Sequence, residues 1–282
     1  MRQWGNGLSL LLPEWQGYGL SADVSEGARV LARHWWAGEP HALIDAPDHE
    51  VLTCDDGVLG LSSIEARARR TLTLLDRAQP ARLVTLGGTC GVELAPIAYL
   101  NERYRGDLAV VWLDGHADLN TPQSSPSSHF HGMALRTLLG EGPVPLVELI
   151  PRPVRPAQVF LVGTRDLDPA EREFIETSGV TWMPNALFGG PQALTSVLTS
   201  RGFGHVYVHF DMDVINPTDF RNALMHTPGG PLLAEVADVL STLHRLTDVV
   251  GFSVLEYCDR DRADRERLLT VLRAVQARSC CS

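Results

Sequence analysis

Apolar, β-branched runs recur along the chain, and each is followed by a segment whose apolar positions repeat at helical spacing. The runs at 82–85, 108–113, 158–163, 205–210 and 249–255 are almost continuously apolar. Parallel strands covered on both faces have this pattern, because a strand with one wet face alternates instead. Amphipathic stretches predict helices at 62–77, 92–105, 169–178, 193–201, 232–246 and 260–278. Strand alternating with helix predicts an α/β fold with a central, mainly parallel sheet between helices. No repeat, low-complexity tract or linker divides the chain, so residues 1–282 are expected to form one domain.

In open sheets of this kind, ligands bind beyond the carboxyl ends of the strands. Four of the strands end in polar clusters, LGGTCG, WLDGHADLN, VGTRDLDPAE and HFDMDVINP, and a fifth ends at Glu256. Asp114, His116 and Asp118 stand at alternate positions, which share one face if the strand continues, and so do Asp211 and Asp213. Converging carboxylates repel and lose hydration unless a cation lies between them. A solvated acidic loop explains either cluster alone. It explains less well two such clusters at two strand ends of one sheet. Carboxylates with some imidazole suit a hard or borderline divalent ion such as Mn²⁺. Four carboxylates carry enough charge for two such ions, which can share a bridging hydroxide, a strong nucleophile at neutral pH.

Composition narrows the partners. The formal net charge is −10 and there is no basic run. Phosphates would repel such a chain, so neither nucleic acid nor an anionic membrane surface is expected to bind it. The apolar run at 8–12 is too short for a signal segment, and no stretch approaches the roughly 20 apolar residues that span a bilayer. A cytoplasmic protein acting on a small molecule is expected. The five cysteines, Cys54, Cys90, Cys258, Cys280 and Cys281, show no zinc-ribbon spacing and read as free thiols in a reducing compartment.

The segments GGTCG, DGHAD, HGM and HFDMDVINP, in that order between Gly87 and Glu256, resemble the ureohydrolases, the family of arginases and agmatinases. Their pattern is a GGDHS-like segment, DAHxD, HG(M/Q) and SxDxDxxDP. The resemblance implies a three-layer αβα sandwich and a hydrolase with two Mn²⁺ ions. It implies that Asp114 and Asp211 bridge the ions, that Asp118 completes one shell, and that His116 and Asp213 complete the other. It makes His131 the proton shuttle and Glu256 the carboxylate that receives a guanidinium. Asn120, Ser125, Ser127 and His129 match the stretch where arginases hold an α-carboxylate, although His129 replaces an Asn. Asp168 and Glu171 match the α-ammonium contacts. Asp168-Pro169-Ala170-Glu171 also reads as a helix capping box with Pro at the first helical position, and both readings can hold. Together these stretches favour an α-amino acid with an arginine-like side chain. The little sequence after 278 leaves monomer and small homo-oligomer both open.

Cys90 is the chief departure, standing where the family has a His ligand, and Thr89 replaces the usual Asp. Cys90 can be a thiolate ligand, a bystander beside a weakly held ion, or a sign of a metal-poor, non-catalytic binding protein. The ligand reading is preferred, because a metal deprotonates a coordinated thiol. A thiolate in place of an imidazole makes the cluster one unit more negative and its ions weaker Lewis acids. This Cys-for-His change resembles the branch of the family that hydrolyses N-omega-hydroxy-L-arginine to L-ornithine and hydroxyurea in D-cycloserine biosynthesis. Conventional hydrolysis of L-arginine to L-ornithine and urea is the alternative.

Overall fold

The computed structural model describes residues 7–185 and 191–279. Cys280 and Cys281 lie outside the described residues. The strands are β1 (Gly7–Leu12), β2 (Ala42–Leu43), β3 (Cys54–Asp55), β4 (Val58–Leu59), β5 (Arg82–Gly87), β6 (Leu108–Leu113), β7 (Val159–Val162), β8 (Thr181–Met183), β9 (His205–Asp211) and β10 (Val249–Leu255). The helices are α1 (Asp23–Leu31), α2 (Leu61–Ala78), α3 (Leu94–Arg103), α4 (Ala134–Leu138), α5 (Val144–Val147), α6 (Pro169–Ser178), α7 (Gln192–Arg201), α8 (Leu233–Leu246) and α9 (Arg262–Ser279).

Eight strands form one sheet in the order β2-β1-β5-β10-β9-β6-β7-β8, and every described pairing in it is parallel. β3 and β4 make a small antiparallel hairpin apart from it. The five predicted strands are the sheet's centre plus β7. The run at 8–12 forms most of β1, in register with β5 from Gly7↔Arg82 to Leu12↔Gly87. The predicted helix at 92–105 begins later than expected: Cys90–Glu93 is a 3₁₀ turn, and α3 follows.

The sheet is buried on both faces, and alternate side chains divide its core in two. Leu11, Val84, Val111, Val208, Phe252 and Val254 pack with α1, α7, α8 and α9 on one side. Leu10, Leu83, Val110, Trp112, Tyr207 and Leu255 pack with α2 to α6 on the other. This is the αβα sandwich, and it explains why the strands carry no polar alternation. No described helix is long and apolar enough to cross a membrane.

Strand order positions the site. β5 and β6 are separated in the sheet by β10 and β9, with β1 and β2 beyond β5 on one side and β7 and β8 beyond β6 on the other. The carboxyl ends of these four adjacent strands therefore meet at the point where the order reverses. Arg165, just after β7, ties the loops there. Its guanidinium donates to five carbonyls: Nε to Pro228 (3.0 Å), Nη1 to Gly163 (3.0 Å) and Val214 (3.2 Å), and Nη2 to Asp213 (2.9 Å) and Thr227 (2.8 Å). All five N–H groups are used, which an ammonium with three donors cannot reproduce. Arg165→Lys is expected to lower unfolding free energy by about 2–4 kcal/mol through part-buried carbonyls left unpaired. Urea denaturation of the purified proteins measures this, and an unchanged midpoint would refute it.

Candidate metal centre

β6 ends at Leu113, and the chain leaves the pleat at Asp114. The alternate residues expected to share one face through a continuing strand converge instead through a turn. Asp114 Oδ1 accepts from the His116 backbone N–H (2.7 Å), and Oδ2 accepts from Trp112 Nε1 (3.0 Å). Asp118 takes a left-handed backbone, φ 52°, which swings its carboxylate back beside Asp114. β9 likewise ends at Asp211, and Asp213 sits in a 3₁₀ turn, Met212–Val214. Asp211 Oδ1 accepts from the Asp213 N–H (2.7 Å), and Asp213 Oδ1 accepts from the Gly115 N–H (2.9 Å). His116 Nδ1 lies 2.7 Å from Asp213 Oδ2. Cys90 follows β5, with Sγ 3.0 Å from Asp211 Oδ2.

Glu256 follows β10 and is also left-handed, φ 56°. Its N–H donates to the Gly88 carbonyl (2.8 Å). Its Oε1 accepts from the Cys90 N–H (3.3 Å) and lies 2.9 Å from His131 Nδ1. Non-glycine residues at positive φ cost energy and persist where surrounding structure holds them. Gly88 is required here: a Cβ would come within 1.9 Å of the Glu14 carbonyl oxygen. Glu14 in turn accepts from Thr89 Oγ1 (2.8 Å) and the Gly17 N–H (2.6 Å), so it fixes the segment that presents Cys90.

Asp114, Asp118, Asp211, Asp213 and Glu256 are all at most 5% exposed. Burial, reinforced by neighbouring carboxylates, pushes Asp118 and Asp211 well above the usual carboxylate range, and the same causes push Asp213 up to about 6. Burial also opposes ionisation of Asp114, but the His116 and His209 imidazoles outweigh it and hold its pKa low. Burial and then the surrounding carboxylates drive the Cys90 thiol far up, so without added positive charge it stays protonated. One buried carboxylate oxygen, Asp118 Oδ2, has no hydrogen-bond partner, and Asp213 Oδ2 meets only the His116 imidazole. A buried carboxylate oxygen left without a donor is what a cation satisfies. The donor atoms form overlapping sets in which all lie within 4.8 Å of one another: Cys90, Asp114, Asp118 and His209; Cys90, Asp211 and Glu256; and Asp114, His116 and Asp213. This donor chemistry fits divalent ions, and the sets share Asp114 and Cys90.

The centre lies at the floor of an open cavity of about 230 Å³. Asn120, Ser125, Ser127, Asp168, Glu171 and Met225 line its walls, and His131 lines it beside Glu256. Asn120 donates to Asp168 Oδ2 (2.8 Å) and accepts from Ser124 Oγ (2.8 Å). Both Glu171 oxygens accept backbone N–H groups, those of Leu119 (2.9 Å) and Asp168 (2.9 Å), and Pro169 opens α6. The capping arrangement therefore forms, with its carboxylates still on the cavity wall. His129 stands outside this lining, its ring edge-on to Tyr18 at 5.6 Å.

Sequence reasoning missed His209, which is fully buried with Nε2 3.4 Å from Asp114 Oδ2. Its signal was present, since His209 occupies the Ser position of SxDxD, but a histidine inside an apolar strand reads as core. Asp166 and Met225 on the cavity wall were also missed, as loop positions with no motif.

Known proteins share this fold. The fold matches the solved structure of Entamoeba histolytica arginase in complex with L-ornithine, with TM-score 0.86 at 20% identity over 95% of this chain and 97% of that one. It matches agmatine ureohydrolase of Thermoplasma volcanium with TM-score 0.70 at 16% identity, over 97% and 89%. In sequence, the chain is 32% identical to a Staphylococcus aureus arginase over 179 residues, 61% of this chain and 59% of that relative, less than two thirds of its length. It is 30% identical to the N(omega)-hydroxy-L-arginine amidinohydrolase of Streptomyces lavendulae over 212 residues, 71% of this chain and 72% of the other. The Arginase family profile matches residues 23–272, and on that match the chain belongs to the arginase family.

Proposed function

We propose that the protein is an amidinohydrolase with a pair of Mn²⁺ ions that cleaves N-omega-hydroxy-L-arginine to L-ornithine and hydroxyurea. The observation that carries this reading is Cys90 Sγ, which shares one donor set with Asp114 and Asp118 and another with Asp211. A thiolate there makes the cluster more electron-rich than an all-carboxylate and imidazole set. An N-hydroxyguanidine is less basic than a guanidine, so its neutral form is accessible near neutral pH and suits a weaker Lewis acid. The Streptomyces lavendulae relative supports the same substrate. This reading sets the reaction in D-cycloserine biosynthesis, as the source of hydroxyurea.

When bound, the ions would supply a hydroxide nucleophile at neutral pH and neutralise charge developing on the substrate. Asp114, Asp118, Asp211, Asp213, His116 and Cys90 would hold them. Glu256 accepts the substrate's N–H groups and orients the reacting carbon, a charge-assisted contact. Its own orientation is fixed by the Cys90 N–H and by His131. Burial disfavours a charge on His131, but the adjacent Glu256 outweighs this and raises its pKa. His131 therefore holds a proton more readily than a free imidazole, and it would deliver that proton to the departing ornithine amine. Asp118 serves as a second proton relay. Asp168 and Glu171 receive the α-ammonium group, and Asn120, Ser125 and Ser127 receive the α-carboxylate. His129, turned onto Tyr18, is left out of these contacts.

Arginase activity is the second reading, favoured by the Staphylococcus aureus relative. Steady-state kinetics on both substrates separate the two: kcat/KM for N-omega-hydroxy-L-arginine should exceed that for L-arginine by tenfold or more, and comparable or faster turnover of L-arginine overturns the substrate assignment. Glu256→Gln should lower kcat/KM by about 10²-fold, the scale of lost orientation, with metal content unchanged. Cys90→Ser should reduce retention of one metal during gel filtration. Unchanged retention would show that the thiol is a bystander, and fewer than one metal per wild-type chain after Mn²⁺ incubation would favour a non-catalytic binding protein.

A further inference from the structure

We propose that His209 is a ligand of the ion on the Cys90 side, so that this position is held by thiolate and imidazole together. The inference rests on the reading of the site as a metal pair and deepens it.

Distances carry the argument first. His209 Nε2 lies 3.4 Å from Asp114 Oδ2 and 3.8 Å from Cys90 Sγ. The first is long for an N–H···O hydrogen bond. Both are near the separations of donors sharing one tetrahedral ion: with metal–N and metal–O near 2.0–2.1 Å and metal–S near 2.3 Å, these are about 3.4 Å and about 3.6 Å. Nε2 belongs with Cys90, Asp114 and Asp118 in one donor set, every member of which is buried.

The far side of the ring is built to match. His209 Nδ1 lies 3.2 Å from Glu93 Oε1. Glu93 is fully buried and also accepts from the Tyr207 hydroxyl (2.5 Å) and from Ser253 Oγ. A carboxylate held by two hydroxyls recruits Nδ1–H as its third donor, which leaves the Nε2 lone pair facing Asp114 and Cys90. Metal-bound histidines are oriented in this way. Trp112, opposite His209 in the sheet register, fixes the ring plane by stacking at 3.5 Å between centroids and 5° between planes.

Two departures from the family pattern therefore meet across the sheet. Cys stands where the pattern has His, and His stands where it has Ser. The imidazole lost from the loop after β5 is supplied from β9. With a thiolate and an imidazole, that position also accepts a borderline ion such as Co²⁺, which makes Co²⁺ a suitable probe.

The test uses full-length protein, stripped with chelator and reloaded with Co²⁺, compared with His209→Ser, which restores the pattern residue. Co²⁺ stoichiometry, titrated affinity and paramagnetic proton NMR are the readouts. The wild type should take up two Co²⁺ and show a hyperfine-shifted imidazole N–H protected from solvent exchange, the His209 Nδ1 proton donated to Glu93. His209→Ser should lose that signal and bind one of the two Co²⁺ at least tenfold more weakly. Absence of the protected signal from fully loaded wild type overturns the proposal without any variant, so a misfolded substitution does not shield it. Equal affinity and an unchanged signal in His209→Ser also overturn it, while leaving the metal-pair reading intact. Fewer than one Co²⁺ per wild-type chain overturns both.

Discussion

Like charges confined at the ends of four strands dominate this molecule. Five carboxylates and a thiol are buried together where β5, β10, β9 and β6 end. Isolated ions of one sign cannot be buried so densely at reasonable cost. The raised pKa values of Asp118, Asp211 and Cys90 express that cost, and bound divalent ions would reverse it. The surrounding structure serves to hold those groups together against their repulsion.

The restraints are backbone and hydrogen-bond devices rather than bulk packing. Asp118 and Glu256 keep left-handed conformations that turn two carboxylates inward. Glu14 clamps Thr89, Gly88 lets the two backbones touch, and Arg165 joins the turns after β7 and β9 through their carbonyls. Glu93, Tyr207 and Ser253 form a buried polar layer one step further into the sheet, beneath His209. Each device spends polar groups inside a sheet that is otherwise apolar. Such a layer is tolerable because its members satisfy one another.

The cavity wall opposite the centre is equally polar. Asn120, Asp168 and Glu171 are already joined to each other or to backbone before any substrate arrives. Groups held this way need little reordering to receive an amino-acid end, which lowers the entropic cost of binding. Glu171 does double service, because a carboxylate that caps α6 retains lone pairs toward the cavity.

Several features could be read from one dimension. Near-continuous apolar runs between amphipathic segments required a parallel sheet covered on both sides, since burial on both faces abolishes alternation. The order of GGTCG, DGHAD, HGM and HFDMD, with Cys90 at a ligand position, identified the family and most of the metal-binding candidates. Strand β1 was not legible, because a run of four leucines and one serine does not by itself show which strands it pairs with. Only the tertiary structure decided that β9 and β10 insert between β5 and β6, because strand order depends on long-range pairing. It also turned Asp118 inward by a positive φ instead of a pleat, and set His129 aside against Tyr18. Above all, it brought His209 to Cys90. Separated by 119 positions in the chain, the two become neighbours only through the sheet's register, which no local pattern encodes.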